Sequence, residues 1–440
     1  TRYDFPVKEY FASSLTRHWT ERGVRINTEL LDKYINDAEL LKWEFEQKLP
    51  WCDEGAPALS YDAVAKYCKK VGIKPPESFN KYNEDFITWF DENKTKLPCI
   101  AVLKDYAVLM FILSRLKSLK ANLDGDIYHP DFKYFGAISG RWSADSEDGS
   151  FESSVSGRFS LHGLPKKTYL FEGGRYSFNL RNLILPRDGY KFVIWDLAQI
   201  EARVIQYIAG NLSLLEGVKN KGISIYQAEA EMAYNWKGTN LKKEDPNLYQ
   251  FIKTQYLGAQ YQCSGPTLYK IARKFDIKIT PEEATTLVND YRKRNPCVVK
   301  LWQSLQQKIK LAYATHNKLH LDFCSGRTFT IWSVTKDIES GNFLGEVIKG
   351  GNSRKIYGGK LTNILTQGTA RDIFVELLYN LNSKGVLEPL WTVHDEAIHE
   401  VPENSVNDAE QIIKHVVSSG VGFAPELPLA TEVKITECYQ

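Results

Sequence analysis

The sequence predicts an α+β fold, on the strength of two apolar strands that each deliver a carboxylate and of helical patterns before and between them. First, Phe192-Val-Ile-Trp195 is an apolar run of β type, and it ends at Asp196, where the pattern becomes helical. Second, residues 390–401 place apolar residues on both sides of a polar tip. This predicts a β-hairpin with His394, Asp395 and Glu396 at its turn. Third, residues 1–135 and the polar-aromatic stretch beyond Asp196 read as mostly helical, including a Pro-punctuated pair at 281–295 and 297–312. A lone Asp at a strand end is ordinarily a helix N-cap. Two such strands with carboxylates at their lips are instead what a pair of hard divalent cations needs, to clamp the attacking and leaving oxygens of a phosphoryl transfer.

Composition bounds the alternatives. A chain of 440 residues exceeds one ordinary core and predicts two or three subdomains. With a net charge of +2, bulk charge advertises no polyanion, so any nucleic-acid cleft must be made by local clustering. The seven cysteines (52, 68, 99, 263, 297, 324, 438) include no Cys-x-x-Cys pair, which predicts reduced thiols and a cytoplasmic setting. No apolar run approaches the ~18 residues of a membrane span, and the N-terminus has no signal-peptide pattern.

With these residues in view, Asp196-Leu-Ala-Gln-Ile-Glu-Ala-Arg203 resembles motif A of the family A (DNA polymerase I-like) DNA polymerases, and Val393-His-Asp-Glu396 resembles their motif C. Thr16–Asn27 is similar to the start of the family's thumb, with Gly23 between two helices and the next helix beginning at Thr28. Tyr134-Phe-Gly-Ala-Ile-Ser-Gly-Arg-Trp-Ser143 resembles the Gly-Arg-x-Ser element that opens the palm, and Ser156-Gly-Arg-Phe-Ser160 repeats it after an acidic, Ser-rich stretch that reads as an inserted loop. Arg141 is favoured over Arg158 as the primer-contacting arginine, because Phe135-Gly-Ala precedes it as in phage relatives. Gly326-Arg327 and Tyr357-Gly-Gly-Lys through Gln367-Gly-Thr-Ala370 match the far side of the fingers and the helix returning to the palm, again in a bacteriophage-like form. Pro428-Leu-Ala-Thr-Glu-Val-Lys434 resembles the last palm strand, so the likeness runs from about residue 15 to 435.

The resemblance implies a right-hand polymerase: an antiparallel palm sheet with helical fingers and thumb. The thumb would span 1–135, the palm 136–205 (with the insertion at 144–155) and 357–440, and the fingers 206–356. No exonuclease signature precedes the thumb. The implied activity is templated addition of dNTPs to a primer 3′-OH, on primer-template DNA, by a monomer. The implied cofactor is a pair of Mg²⁺ ions, with Mn²⁺ able to substitute. Asp196, the Leu197 carbonyl and Asp395 would be the metal ligands, with Glu396 beside them. Lys253 would bind the triphosphate and protonate pyrophosphate. Gln199, Glu201, Tyr226, Leu257 and Tyr261 would surround the nucleotide, with Lys253, Leu257 and Tyr261 on one helical face at i, i+4 and i+8. DNA contacts fall to Lys117 (in a basic helical run with Arg115 and Lys120), Arg141, Asn363, Gln367 and His394.

Glu201 matches the family's steric gate against a ribose 2′-OH. It also separates this chain from single-subunit phage RNA polymerases, which share the fold and both aspartates but lack that glutamate. A catalytically silent DNA-binding accessory protein on the same fold is the remaining alternative. Two positions depart from the family. Tyr249 stands where an arginine is usual, so the γ-phosphate contact is expected from Lys242, Lys243 or Arg203. Leu257 replaces Phe or Tyr beside the incoming sugar, which implies discrimination against dideoxynucleotides.

Overall fold

The computed structural model describes residues 6–78, 84–144, 159–275, 277–383 and 388–440. Arg158 and the inserted stretch beyond Ala144 lie outside the described residues. The chain divides into two units. One comprises Thr1–Arg17, Phe132–Ser143 and Phe192–Ile435, and the other His18–Asp131, Ala144–Lys191 and Thr436–Gln440.

In the second unit, Asn27 accepts a hydrogen bond from the Leu30 N–H (2.9 Å) and so caps the helix Thr28–Glu46. That helix buries Leu31, Tyr34, Ala38, Leu41 and Phe45 and packs against the helix Pro98–Ala121. Gly23 precedes it at φ +67°, where an added Cβ would meet the Tyr128 carbonyl at 2.9 Å. The basic run of the second helix is engaged within this unit. Lys117 pairs with Glu39, Lys120 with Asp32 (2.6 Å), and the Arg115 guanidinium lies 3.7 Å from the Phe111 ring centroid. Lys117 and Lys120 brace the two helices, while Arg115 packs on its own helix.

The first unit is built on a four-stranded sheet in the order Trp391–Val393, Glu396–Pro402, Tyr190–Leu197, Thr431–Thr436. Phe192 to Trp195 are buried, as a central strand covered on both faces requires. Trp195 donates its indole N–H to His399 Nε2 (2.9 Å) and meets Phe374 at 5.4 Å. Phe374 lies on the helix Gly358–Ser383, which is buried almost all round. Its glycines explain how it seats. A Cβ on Gly358 would stand 2.1 Å from the Trp302 carbonyl oxygen, one on Gly359 2.3 Å from that of Tyr261, and one on Gly368 2.1 Å from the Phe323 ring.

Between the strand Tyr190–Leu197 and this helix lie the helices Ile225–Tyr234, Pro246–Ala259, Gly265–Lys274, Pro281–Arg294 and Pro296–Thr315. The fourth carries a full capping box between Thr280 and Glu283. The expectation of a helical region to residue 356 needs correction. Residues 319–331 form a hairpin, Leu319–Asp322 with Thr328–Ile331, and a three-stranded antiparallel sheet follows, ending at Ser353–Ile356. Alternation of apolar and polar residues in Leu-His-Leu-Asp and Thr-Phe-Thr-Ile is the period-2 signal that the helical reading passed over. Among the described residues no helix is long and apolar enough to cross a membrane. All seven cysteines are free.

Because the nearest atom to a Gly358 Cβ is backbone, it cannot swing aside. Gly358→Ala should therefore lower stability by about 1–3 kcal/mol through overpacking, outweighing a helix-propensity gain of about 1 kcal/mol. A urea midpoint unchanged or raised would contradict this seating of the helix.

Candidate functional site

Asp196 and Asp395 sit at the same end of neighbouring strands. The Leu197 N–H donates to the Asp395 carbonyl (3.3 Å), joining the two segments directly. On the other side, the Thr431 hydroxyl donates to the Asp196 carbonyl (2.8 Å) and the Ala198 N–H to that of Ala430 (2.9 Å). The hairpin turn is the two residues His394 and Asp395, closed by the pair Val393–Glu396. His394 adopts φ +59°, a conformation hairpin turns usually assign to Gly or Asn, so its backbone is held off its preferred basin at the tip. Glu396 is not a turn residue as expected. It opens the strand and is buried.

Negative charge accumulates here. Burial pushes the Asp395 carboxyl above the usual carboxylate range, Glu201 and Glu396 push it further, and the Arg141 guanidinium opposes them. Glu201 lies in the first turn of the helix Ile200–Ile208 and has both oxygens engaged. One pairs with Arg141 (2.9 Å) and the other accepts from the Tyr261 hydroxyl (2.7 Å). Gln199 precedes that helix at φ +56°, and its side-chain oxygen accepts from the Ile225 N–H (2.9 Å). It thereby fixes the start of the helix that carries Tyr226. Tyr226 is buried edge-to-face against Tyr249 and Tyr256, both at 5.5 Å. Burial drives its phenol far up, helped by Tyr249, Glu201 and Asp395.

Arg141 is delivered by a tightly wound loop. Gly140 takes φ +87°, the Ala137 N–H donates to the Arg141 carbonyl (3.1 Å), and Trp142 donates to the Thr16 hydroxyl (2.8 Å). Two further arginines hold this loop. Arg371, itself buried, pairs with Glu9 (2.8 Å to one oxygen) and lies 4.9 Å from the Phe135 ring centroid. Arg327 pairs with Asp372 and donates to the Ser139 carbonyl (3.1 Å). Glu9 was missed by sequence reading, because nothing local ties an N-terminal glutamate to an arginine on a helix 362 positions away.

The other expected residues divide. Lys253 is half-buried and Leu257 exposed on the helix Pro246–Ala259, but Tyr261 lies beyond its end, so the three do not share one helical face. The short turn after Ala259 turns Tyr261 toward Glu201 instead. Arg203 is no candidate for a phosphate contact. It is buried and donates to the carbonyls of Ala198 and Pro428, both at 3.0 Å. Lys242 pairs with Glu432 (2.6 Å), which raises its ammonium pKa, and Tyr249 and Asp196 add smaller contributions. Lys243 is exposed. From Gly358 to Val375 the long helix is buried except at Lys360, Asn363 and Gln367, an i, i+3, i+7 stripe. Lys117 belongs to the other unit and is paired there.

The donor set suits a hard divalent cation. Carboxylate oxygens at the strand ends carry an excess of negative charge that Arg141 only partly offsets. Among the described residues no group of three or more His, Cys, Asp or Glu side chains is placed to hold a metal ion.

Comparison with known proteins follows the same direction. The family model described as DNA polymerase family A matches residues 95–440. The DNA polymerase of Bacillus phage SP02 is 26% identical over 283 residues, covering 59% of this chain and 43% of the relative. DNA polymerase I of Caldicellulosiruptor bescii is 24% identical over 428 residues, covering 94% of this chain and 44% of the relative. The chain thus spans less than half the length of these two curated relatives. Among solved structures, the POL domain of Pol1 from M. smegmatis, in complex with DNA primer-template and dNTP, superposes with a TM-score of 0.67 at 18% identity, covering 97% of this chain and 69% of that one.

Since Glu201 raises the Asp395 pKa by like-charge repulsion, Glu201→Gln should lower the pKa read from the Asp395 carboxyl carbon by NMR titration in metal-free buffer. An unchanged or higher value would mean the two carboxylates do not sense each other.

Proposed function

This chain belongs to DNA polymerase family A, and we propose that it extends a DNA primer 3′-OH with dNTPs on a template strand, releasing pyrophosphate. The observation that carries the proposal is the pairing of Asp196 and Asp395 on hydrogen-bonded neighbouring strands, beside a Glu201 whose oxygens are both held.

Asp196 and Asp395, with the Leu197 carbonyl, would hold two Mg²⁺ ions, for which Mn²⁺ can substitute. Bound there, the ions supply charge neutralisation at the α-phosphate and a lowered pKa at the attacking hydroxyl. Glu396 keeps carboxylate density beside Asp395. Lys253 offers an ammonium to the triphosphate as a compact charge with three donors, and a proton to departing pyrophosphate. Tyr249 contributes no cation, which leaves Lys242 and Lys243 as the remaining sources of a γ-phosphate contact. Lys242 would exchange Glu432 for phosphate oxygens.

Glu201 bounds the sugar site with Tyr226 and Gln199. Because Arg141 and Tyr261 fix both of its oxygens, its carboxylate cannot rotate away from a ribose 2′-OH. That geometry supports DNA rather than RNA synthesis. Arg141, His394, Asn363 and Gln367 would contact the primer-template, the last two half-buried on the one stripe that is not fully buried between Gly358 and Val375. Leu257 has no hydroxyl to replace a missing 3′-OH, so dideoxynucleotides should be disfavoured.

Mg²⁺-dependent extension of a labelled primer-template tests the proposal, with Asp395→Ala beside the wild type. Templated extension by the wild type, abolished in the variant, is expected. Absence of wild-type extension with primer-template binding intact would favour a silent DNA-binding protein on this fold. In the same assay Glu201→Ala should raise ribonucleotide incorporation relative to dNTPs by about tenfold or more, the effect of removing roughly 1.4 kcal/mol of discrimination. An unaltered ratio would remove Glu201 from the sugar site.

A further inference from the structure

Three helices of the first unit meet at one buried carboxylate. Glu229, on the helix Ile225–Tyr234, is 1% exposed. It accepts from the Arg294 Nε–H (2.7 Å), at the end of Pro281–Arg294, and from the Tyr256 hydroxyl (3.1 Å), on Pro246–Ala259. Packing alone does not call for this charge. A carboxylate is costly to bury, and an apolar side chain of similar volume is often at least as stable in such a place. The best-attested use of a buried ion pair is to specify register, which raises the question of what register this one sets.

The helix Pro246–Ala259 turns Ile252, Gln255, Tyr256 and Ala259 inward at i, i+3, i+4 and i+7. Both polar members of that face are tied to a neighbouring helix. Gln255 donates to the Leu287 carbonyl (3.0 Å), and Tyr256 donates to Glu229. The Tyr256 ring also lies edge-to-face on Tyr226 (5.5 Å) and Tyr291 (5.2 Å). Burial first, with Glu229 next, holds the Tyr256 phenol well above its usual pKa, so its hydroxyl stays a donor. Ring contacts tolerate sliding, whereas a hydrogen bond to a carboxylate already clamped by a guanidinium fixes direction.

The clamp sits between two nucleotide contacts. Lys253, the candidate triphosphate ligand, stands about one turn before Tyr256 on one helix. Tyr226, which bounds the sugar site, stands about one turn before Glu229 on the other. Resting on the polymerase reading, we propose that Glu229 is a positioning residue for nucleotide binding. Through the Tyr256 hydroxyl it holds the helix of Lys253 at the distance from Tyr226 that lets one nucleotide reach both.

The test is equilibrium binding of the complementary dNTP to the chain on a dideoxy-terminated primer-template, followed by 2-aminopurine fluorescence in the template. The wild type is compared with Tyr256→Phe, which removes one oxygen from the clamp, and with Glu229→Gln, which removes the charge that Arg294 holds. Each substitution is also made on Lys253→Ala. Both variants should weaken dNTP binding by about fivefold or more, as the loss of a hydrogen bond to a charged group implies, and change primer-template affinity by less than about twofold. On Lys253→Ala the same substitutions should cost less than about twofold, because the contact they position is gone. A merely structural role would instead lower the urea midpoint, weaken dNTP and primer-template binding alike, and add to the Lys253→Ala loss. That pattern, or unaltered dNTP binding in both variants, would overturn the proposal. A wild type that binds complementary and mismatched dNTPs equally would refute the polymerase reading, and this proposal with it. Template-selected binding by the wild type with indifferent variants would refute only the role of Glu229.

Discussion

The costliest feature of the first unit is the gathering of Asp395, Glu201 and Glu396 around the end of one sheet, with Asp196 on the neighbouring strand. Burial, with repulsion from Glu201 and Glu396, disfavours the charged form of Asp395 and raises its carboxyl pKa. Such a cluster persists only if the surrounding packing over-determines it. Here the strand pairing does so first, through the Leu197-to-Asp395 hydrogen bond and the Thr431 hydroxyl on the Asp196 carbonyl.

Arg141 is the protein's own partial answer to that charge, and much of the unit serves to place it. Glu9, Arg371, Asp372 and Arg327 form a chain of ion pairs beneath the loop that carries it. Losing one member would leave an uncompensated buried charge, so the network specifies the loop as much as it stabilises it. The same guanidinium then locks Glu201, which joins charge balance at the metal-binding carboxylates to geometry at the sugar. Tyr261 completes the link, and the glycine at 359 lets the long helix approach its carbonyl closely.

What could be read from the sequence follows the range of the interactions. The strand ending at Asp196, the hairpin at Asp395, the Thr28 helix start and the proline-opened helices were legible because each is written in local pattern. The stripe of exposed Lys360 and half-buried Asn363 and Gln367 was half legible, since the resemblance assigned roles to the last two without showing that the helix is otherwise buried from Gly358 to Val375. Arg203, Tyr261 and the strands after residue 319 were misjudged for different reasons. A guanidinium can be consumed by two distant carbonyls, a helix can end two residues early, and short period-2 runs hide inside a helical neighbourhood. The Glu9–Arg371 pair was out of reach, because it exists only once remote segments meet.

The central claim is that Asp196 and Asp395 are arranged to hold divalent cations. Its most direct test is Mn²⁺ binding, followed by electron paramagnetic resonance, in the wild type and in Asp196→Asn and Asp395→Asn, each with primer-template and a non-extending nucleotide bound. The account predicts that either substitution weakens Mn²⁺ binding by about tenfold or more, in keeping with the loss of a hard oxygen ligand. Undiminished Mn²⁺ binding in both variants would contradict it.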